Sequence, residues 1–221
     1  MYDRKGPNPY DAWNVASGEE VTALTDEELL RDHLHGRADR FELLVRRHSQ
    51  ELFHFLLRFT GSASTAEDIV QEAFLQVHLS AASFDQQRRF KPWLFTIAAN
   101  KARDFLRSRA RRPEVPLDAH VSAGNSEDGQ RFLELLANAG GAPSDALEAA
   151  EQRDRVQKLV ASMPEHLREV LVLSYYHRFP YKETADILSI PLGTVKSRLH
   201  AAVGHFARIY GRSASHEHGG A

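Results

Sequence analysis

The chain contains no cysteine. That excludes disulfide staples, thiolate metal sites and a cysteine nucleophile, and it suits a reducing compartment. No apolar run approaches the ~20 residues that a membrane span needs. The start, Met-Tyr-Asp-Arg-Lys-Gly-Pro, carries no apolar leader, so the expected location is the cytoplasm. Strand-like alternation is missing throughout. So are a glycine-rich phosphate loop, a Ser-His-Asp arrangement at workable spacing and a carboxylate cluster; no catalytic residue and no cofactor are expected. The 12 histidines do not argue for metal. His33 and His35, like His216 and His218, are two apart, which points them to different sides of a helix, and they lack a carboxylate in a ligand frame; they read as surface residues and no metal site is expected. A large positive charge is also absent: the formal net charge is −2, which excludes a binder that holds DNA by bulk electrostatics alone.

What is present is helical periodicity. The 221 residues, 42% hydrophobic and 26% charged, suffice for one large or two small soluble domains. Residues 1–24 are rich in Gly, Pro and Asn without periodicity and are expected to be a disordered extension. Thr25-Asp-Glu-Glu28 is a capping box opening a first helix through Leu29, Leu30 and Leu34 to Gly36. A second helix, about 38–59, carries Phe41, Leu44, Val45, Leu52, Phe55, Leu56 and Phe59 at helical spacing and stops at Gly61. Ser64-Thr-Ala-Glu67 reads as a second capping box, before Ile69, Val70, Ala73, Phe74 and Val77. After a break at Phe84-Asp-Gln-Gln-Arg-Arg, a fourth helix runs from Phe90 or Pro92 to about Arg111. Pro113 and Pro116 close this lobe. Residues 113–145, rich in Pro, Gly, Ser, Ala and acids, read as a linker too long for the inside of a compact domain, with a helical turn or two at Phe132–Asn138. Helix returns over about 144–161, breaks near Met163-Pro164 and resumes over Glu165–Tyr176. The fold expected is all-α: two helical domains, 25–112 and 146–210, on a flexible linker, with a disordered tail over 211–221.

Three surfaces call for explanation. The first is a helix-turn-helix over Tyr181–His200. Ala185 is small where helices must approach, and Ile187, Leu188 and Ile190 surround the corner. Pro191 and Gly193 mark a second helix, whose Val195 and Leu199 face inward. Its other face offers Thr194, Lys196, Ser197, Arg198 and His200, donors and cations at the N-terminal end of a helix that fits a major groove. The second is a basic helix: between Asn100 and Arg112 stand Lys101, Arg103, Arg107, Arg109, Arg111 and Arg112 against Asp104 alone. Such a stripe follows a phosphate backbone, and its other reading is a solvated helix end. The Ser83–Arg89 break before it suits a loop that captures an unstacked base, with Phe84 as a stacking ring and Phe90 and Trp93 in the core. The third is Asp68, Gln71, Glu72 and Leu75, an acidic face with an apolar edge. It reads either as a protein-docking face or as a merely solvated one.

Three stretches, AEDIVQEAFLQVH (66–78), FKPWLFTIAANKARDFLRSRARR (90–112) and MPEHLREVLVLSYYHRFPYKETADILSIPLGTVKSRLHAA (163–202), together with residues 26–57, resemble the extracytoplasmic-function (group 4) sigma factors of bacterial RNA polymerase, of the sigma-70 family. The resemblance implies a sigma-2-like domain for core polymerase binding, minus-10 recognition and melting, and a sigma-4-like domain for minus-35 recognition. It implies that Asp68, Gln71, Glu72 and Leu75 dock on the clamp helices of the largest polymerase subunit. Phe84, Asp85, Arg88 and Arg89 would hold a flipped minus-10 base, while Asn100, Lys101, Arg103, Asp104, Arg107 and Arg111 line the melted strand and upstream duplex. Thr194, Lys196, Ser197, Arg198 and His200 would read the minus-35 element. The linker would thread toward the RNA exit channel with Glu127 and Asp128 mimicking nucleic acid. Partners implied are core polymerase, including the flap of its second-largest subunit, promoter DNA and an anti-sigma factor. Two departures stand out. Ser189 occupies the corner where members of this family carry Gly, and Ala201-Ala202-Val203 follows His200 where further arginines are usual. The competing reading is a stand-alone helix-turn-helix regulator that binds duplex DNA without core polymerase. An enzyme with a helical effector domain has no residue constellation in its favour.

Overall fold

In the computed structural model, residues 24–110 and 146–217 are described, with side chains over 24–108 and 154–211. The extension over 1–23, the linker with its Phe132–Asn138 turns, Glu127, Asp128, Arg111 and Arg112, and the last four residues lie outside them. All regular structure among the described residues is helical.

The N-terminal lobe holds α1 (Asp26–Leu34), α2 (Ala38–Thr60), α3 (Ala63–Ser80), a 3-10 turn (Ala81–Ser83) and α4 (Phe90–Ala110). The Thr25 capping box forms: the Thr25 hydroxyl accepts from the Glu28 amide at 3.2 Å, and the Thr25 amide donates to Glu28 Oε2 at 2.8 Å. α2 ends on Gly61, whose φ of 73° lies in the left-handed region that suits glycine. The start of α3 differs from the expected box at Ser64. Ser62 caps it, extended at φ −135°, and accepts from the Thr65 amide at 3.3 Å. The turn at Gly61 ends one helix and presents Ser62 at once to the next, so the helix begins two residues early. The start of α4 is held by another element. Glu27 of α1 accepts the Phe90 amide at 2.7 Å, satisfying a donor that its own helix leaves orphaned.

The C-terminal lobe holds α5 (Ala146–Ala161), α6 (Glu165–Leu171), a π turn (Val172–Tyr176), α7 (Tyr181–Leu188) and α8 (Leu192–Glu217). The expected single helix over 165–176 therefore changes winding at Val172. α8 runs on through Glu217, past the point near 210 where a tail was expected; no proline interrupts it. The helix-turn-helix corner is a Schellman closure. Ser189, at φ 54°, donates to Asp186 O at 3.2 Å, and Ile190 donates to Ala185 O at 3.0 Å.

The two lobes share one hydrophobic core. α4 lies along α7, and α2 lies against α5, α6 and the π turn. Phe55, Phe59 and Phe95 are fully buried, and Phe179 nearly so, at this junction. The Phe95 and Phe179 rings cross edge-on at 4.9 Å, and Phe55 meets the His177 ring at 5.6 Å.

Ser189→Gly is expected to raise stability by about 0.5–1 kcal/mol, because a non-glycine residue in the left-handed region is strained. Gly61→Ala should lower it by a similar amount. Urea midpoints with unchanged m-values check both.

Candidate nucleic-acid and polymerase interface

The recognition helix is the first part of α8. Val195 and Leu199 are buried against α7, which turns Lys196, Ser197 and His200 to solvent and leaves Thr194 and Arg198 half-buried. Ser197 Oγ donates to Thr194 O at 3.1 Å. Arg198 is already engaged: its Nη1 lies 3.1 Å from Glu169 Oε1 of α6. Lys196 is thus the more available cation of the two.

The basic helix occupies the C-terminal half of α4. Asn100, Asp104 and Arg107 are exposed, and Lys101 and Arg103 are half-buried. Lys101 Nζ pairs with Glu72 Oε2 at 3.2 Å, and Arg103 Nε with Glu169 Oε2 at 2.9 Å. Arg103 also donates to Asn100 Oδ1 at 3.0 Å. Arg111 falls outside the described residues.

The loop between α3 and α4 corrects one expectation. Phe84 is only 7% exposed; its ring lies 4.7 Å from Trp93 and 6.3 Å from Phe90, so it closes the core beneath the loop rather than standing free to stack on a base. Exposed above it are Asp85, Gln86, Gln87, Arg88 and Arg89. Asp85 shapes the turn by accepting the Gln87 amide at 3.0 Å, and Arg89 reaches Glu183 of α7 at 2.8 Å. A groove between the loop and the helix-turn-helix corner is lined by Arg88, Trp93, Lys182, Asp186 and Pro191.

α3 presents Asp68, Gln71 and Glu72 to solvent, with Leu75 58% exposed. Leu79, one turn further and 69% exposed, extends the apolar edge. Its four-residue spacing from Leu75 was the available signal.

Sequence reasoning did not single out the junction beneath these surfaces. Glu51 accepts from Lys91 Nζ at 2.7 Å and faces His177 Nδ1 at 3.4 Å. Burial favours its neutral form, but the hydrogen bonds and charges of His177 and Lys91 outweigh burial and hold Glu51 down at about 2. Burial pushes His177 below its ordinary value, more than Glu51 raises it, and Arg58 and Lys91 add to the depression. Glu169 is raised: burial outweighs the pull of Arg103 and Arg198. Among the described residues no group of three or more His, Asp and Glu side chains is placed to hold a metal ion, and no helix is long and apolar enough to cross a membrane.

The Sigma-70 region 2 family matches residues 44–112, and the Sigma-70 region 4 family matches residues 153–206. The ECF RNA polymerase sigma factor SigW of Bacillus subtilis is 34% identical over 165 residues, which span 75% of this chain and 86% of SigW. The chain belongs to the ECF sigma factors. The ECF RNA polymerase sigma-E factor of Escherichia coli K12 is 32% identical over 179 residues, 81% of this chain and 91% of its own length. The RNA polymerase sigma-H factor of Pseudomonas aeruginosa is 30% identical over 184 residues, 82% and 92% of the two chains. Two solved structures share the fold: CnrH in complex with the cytosolic domain of CnrY (TM-score 0.60, 24% identity, 85% of this chain and 97% of that one), and the sigma factor RpoE in complex with the anti-sigma factor NepR from Bartonella quintana (TM-score 0.54, 22% identity, 76% and 92%). An ECF sigma factor directs core RNA polymerase to promoters and is not itself an enzyme.

Acid should weaken the junction of this sigma factor. Burial disfavours imidazolium at position 177, so that contribution is complete above the ordinary histidine value of 6.5 and fades as pH falls below it. The Glu51 contribution is complete above 4.5 and is lost as pH falls toward about 2. Stability measured against pH should fall first below 6.5 and again below 4.5. His177→Phe, which keeps a ring between Phe55 and Phe95, should shrink the first fall by the share that His177 contributes and, by taking a hydrogen bond from Glu51, shrink the second as well.

Proposed function

We propose that this sigma factor works through three surfaces carried on its two lobes. The observation that carries the reading is the placement of one cation-bearing helix on each lobe, α4 and the start of α8, in a chain that matches both sigma-70 regions. The N-terminal lobe takes the minus-10 element. Asn100, Lys101, Arg103 and Arg107 follow the melted strand, and Asp85, Arg88 and Arg89 frame the loop that receives an extruded base. Burial of Phe84 makes it the floor of that loop. The C-terminal lobe takes the minus-35 element, with Lys196, Ser197 and Arg198 toward the major groove, and Thr194 and His200 at its flanks.

The third surface is the exposed face of α3. Asp68, Gln71 and Glu72 supply charge and hydrogen bonding to the polymerase clamp helices, and Leu75 with Leu79 supplies apolar area. The residues beyond 110 connect the lobes through the polymerase. An anti-sigma protein is the partner proposed to silence the chain, as NepR is found on RpoE.

A gel shift with a promoter fragment, with and without core polymerase, tests the reading against a stand-alone regulator. Retention is expected only with core; equal binding without core would favour the regulator. Asp68→Ala should weaken co-purification with core. Arg198→Ala should relax discrimination at one minus-35 base by about 1–3 kcal/mol; a uniform loss on every sequence would assign Arg198 to phosphate or to folding instead.

A further inference from the structure

The tip of the recognition helix carries an apolar side chain that the core does not use. α8 begins at Leu192, and its apolar stripe continues through Val195, Leu199, Ala202 and Phe206, all buried. Leu192 opens that stripe but is 42% exposed. The packing of the helix start does not call on it. Pro191 O accepts the Thr194 and Val195 amides at 2.9 and 3.1 Å, so Pro191 stands at the N-cap. The apolar pair that staples a helix start lies one residue before the cap and four after it. Those positions are filled by Ile190, packed on the core, and by buried Val195. Among the described residues, the C-terminal lobe has one other exposed large hydrophobic side chain, Tyr181, and that one is hydrogen-bonded to Tyr175.

Helix geometry decides where Leu192 points. Cα–Cβ bonds tilt toward the helix N-terminus, so a side chain in the first turn reaches past the helix end. Gly193 beside it keeps the tip slender: a Cβ built there meets nothing within 4 Å. Exposed Lys196 and Ser197 stand one turn further on and place a cation and a hydroxyl behind this apolar point. The DNA major groove offers the matching pattern, an apolar spot on its floor between phosphate-lined walls. The apolar group on a base edge there is the C5 methyl of thymine. Guanine, adenine and cytosine present donors and acceptors that a leucine would strip of water without replacing it.

We propose that Leu192 is a specificity residue that packs on a 5-methylpyrimidine of the minus-35 element, thymine in unmodified DNA. The proposal rests on the proposed function and adds to it a base-reading contact made without a hydrogen bond. The N-terminal residues of a recognition helix are the ones that meet base edges, and Leu192 is the first of them. The contact takes the exposed flank of the leucine and the thymine methyl out of water together, so thymine is favoured over any pyrimidine that lacks the methyl.

Fragments randomised across the minus-35 element and retained by the full chain with core polymerase supply the probe. The wild-type chain should enrich thymine at one position, on either strand. Replacing that thymine with uracil removes the methyl alone and should weaken wild-type retention roughly three- to tenfold. At the same position 5-methylcytosine should be retained better than cytosine. Leu192→Ala should abolish the difference between thymine and uracil, whereas Leu192→Met, which keeps apolar bulk, should preserve it. Each variant is judged by its own thymine-to-uracil ratio, so a general loss of affinity or of folded protein does not imitate the result. Equal retention of thymine and uracil probes by the wild type overturns the proposal. So does a Leu192→Ala chain as sensitive to uracil as the wild type, or a selected pool with no thymine preference. A wild-type chain that retains no fragment with core sinks the sigma reading; a retained pool indifferent to the methyl sinks only the role of Leu192.

Discussion

A carboxylate taken out of water must find positive charge, and Glu169 finds it on two different helices. Burial pushes its pKa up, and Arg103 and Arg198 resist that push from opposite oxygens. Removing either arginine would leave buried charge partly uncompensated, which is far costlier than losing an exposed pair. The placements of α4 and α8 are therefore linked through one side chain of α6. Arg168, the neighbouring residue, adds a second anchor. It is 7% exposed, donates to Ala161 O at 2.6 Å and lies over the Phe59 ring at 5.6 Å. Two consecutive residues of one short helix thus bind the C-terminal lobe to the other lobe by charge and by ring face.

Strength and register come from different sources at this junction. Burial of Phe55, Phe59, Phe95 and Phe179 supplies the nondirectional part, since each large ring removed from water contributes on the order of 1.5–3 kcal/mol. The polar ties supply position. Arg89–Glu183 is exposed on the arginine side and adds at most about 1 kcal/mol. Glu51, half-buried and shared between Lys91 and His177, fixes where the π turn meets α2. Arg178, next to His177, holds a left-handed φ of 54°, and Phe179 follows it into the core. The chain accepts local backbone strain there so that His177 and Phe179 both reach the aromatic cluster.

Local chemistry was legible in the sequence, and chemistry that spans the lobes was not. The Thr25 capping box is visible because both of its partners lie within one turn. The Ser64 box was misplaced because two serines stand in one turn, and only the left-handed turn at Gly61 decides that Ser62 is the cap. The family resemblance and the helix-turn-helix followed from residue patterns of about 20 residues and needed no tertiary information. Phe84 illustrates the limit: an aromatic residue beside a polar loop reads as a stacking ring, and only the distances to Phe90 and Trp93 reveal it as core. Glu169 was hidden for a similar reason. It follows Glu165, His166 and Arg168 in one short helix and reads as one more helix charge, and its partners stand 66 and 29 residues away along the chain.

The near-neutral net charge acquires a structural meaning from these pairings. Lys101 lies on Glu72, Arg103 and Arg198 on Glu169, Arg89 on Glu183, and Arg107 within 3.7 Å of Asp104. Many of the cations facing the proposed DNA surfaces are therefore partly neutralised by the chain's own acids, and the field beyond a Debye length is weak. Nonspecific DNA binding draws on that field through counterion release, and cations paired in this way add little to it. At these paired cations, contact with phosphate must displace a carboxylate first, and the exchange is favourable only where geometry brings many phosphates to many cations at once.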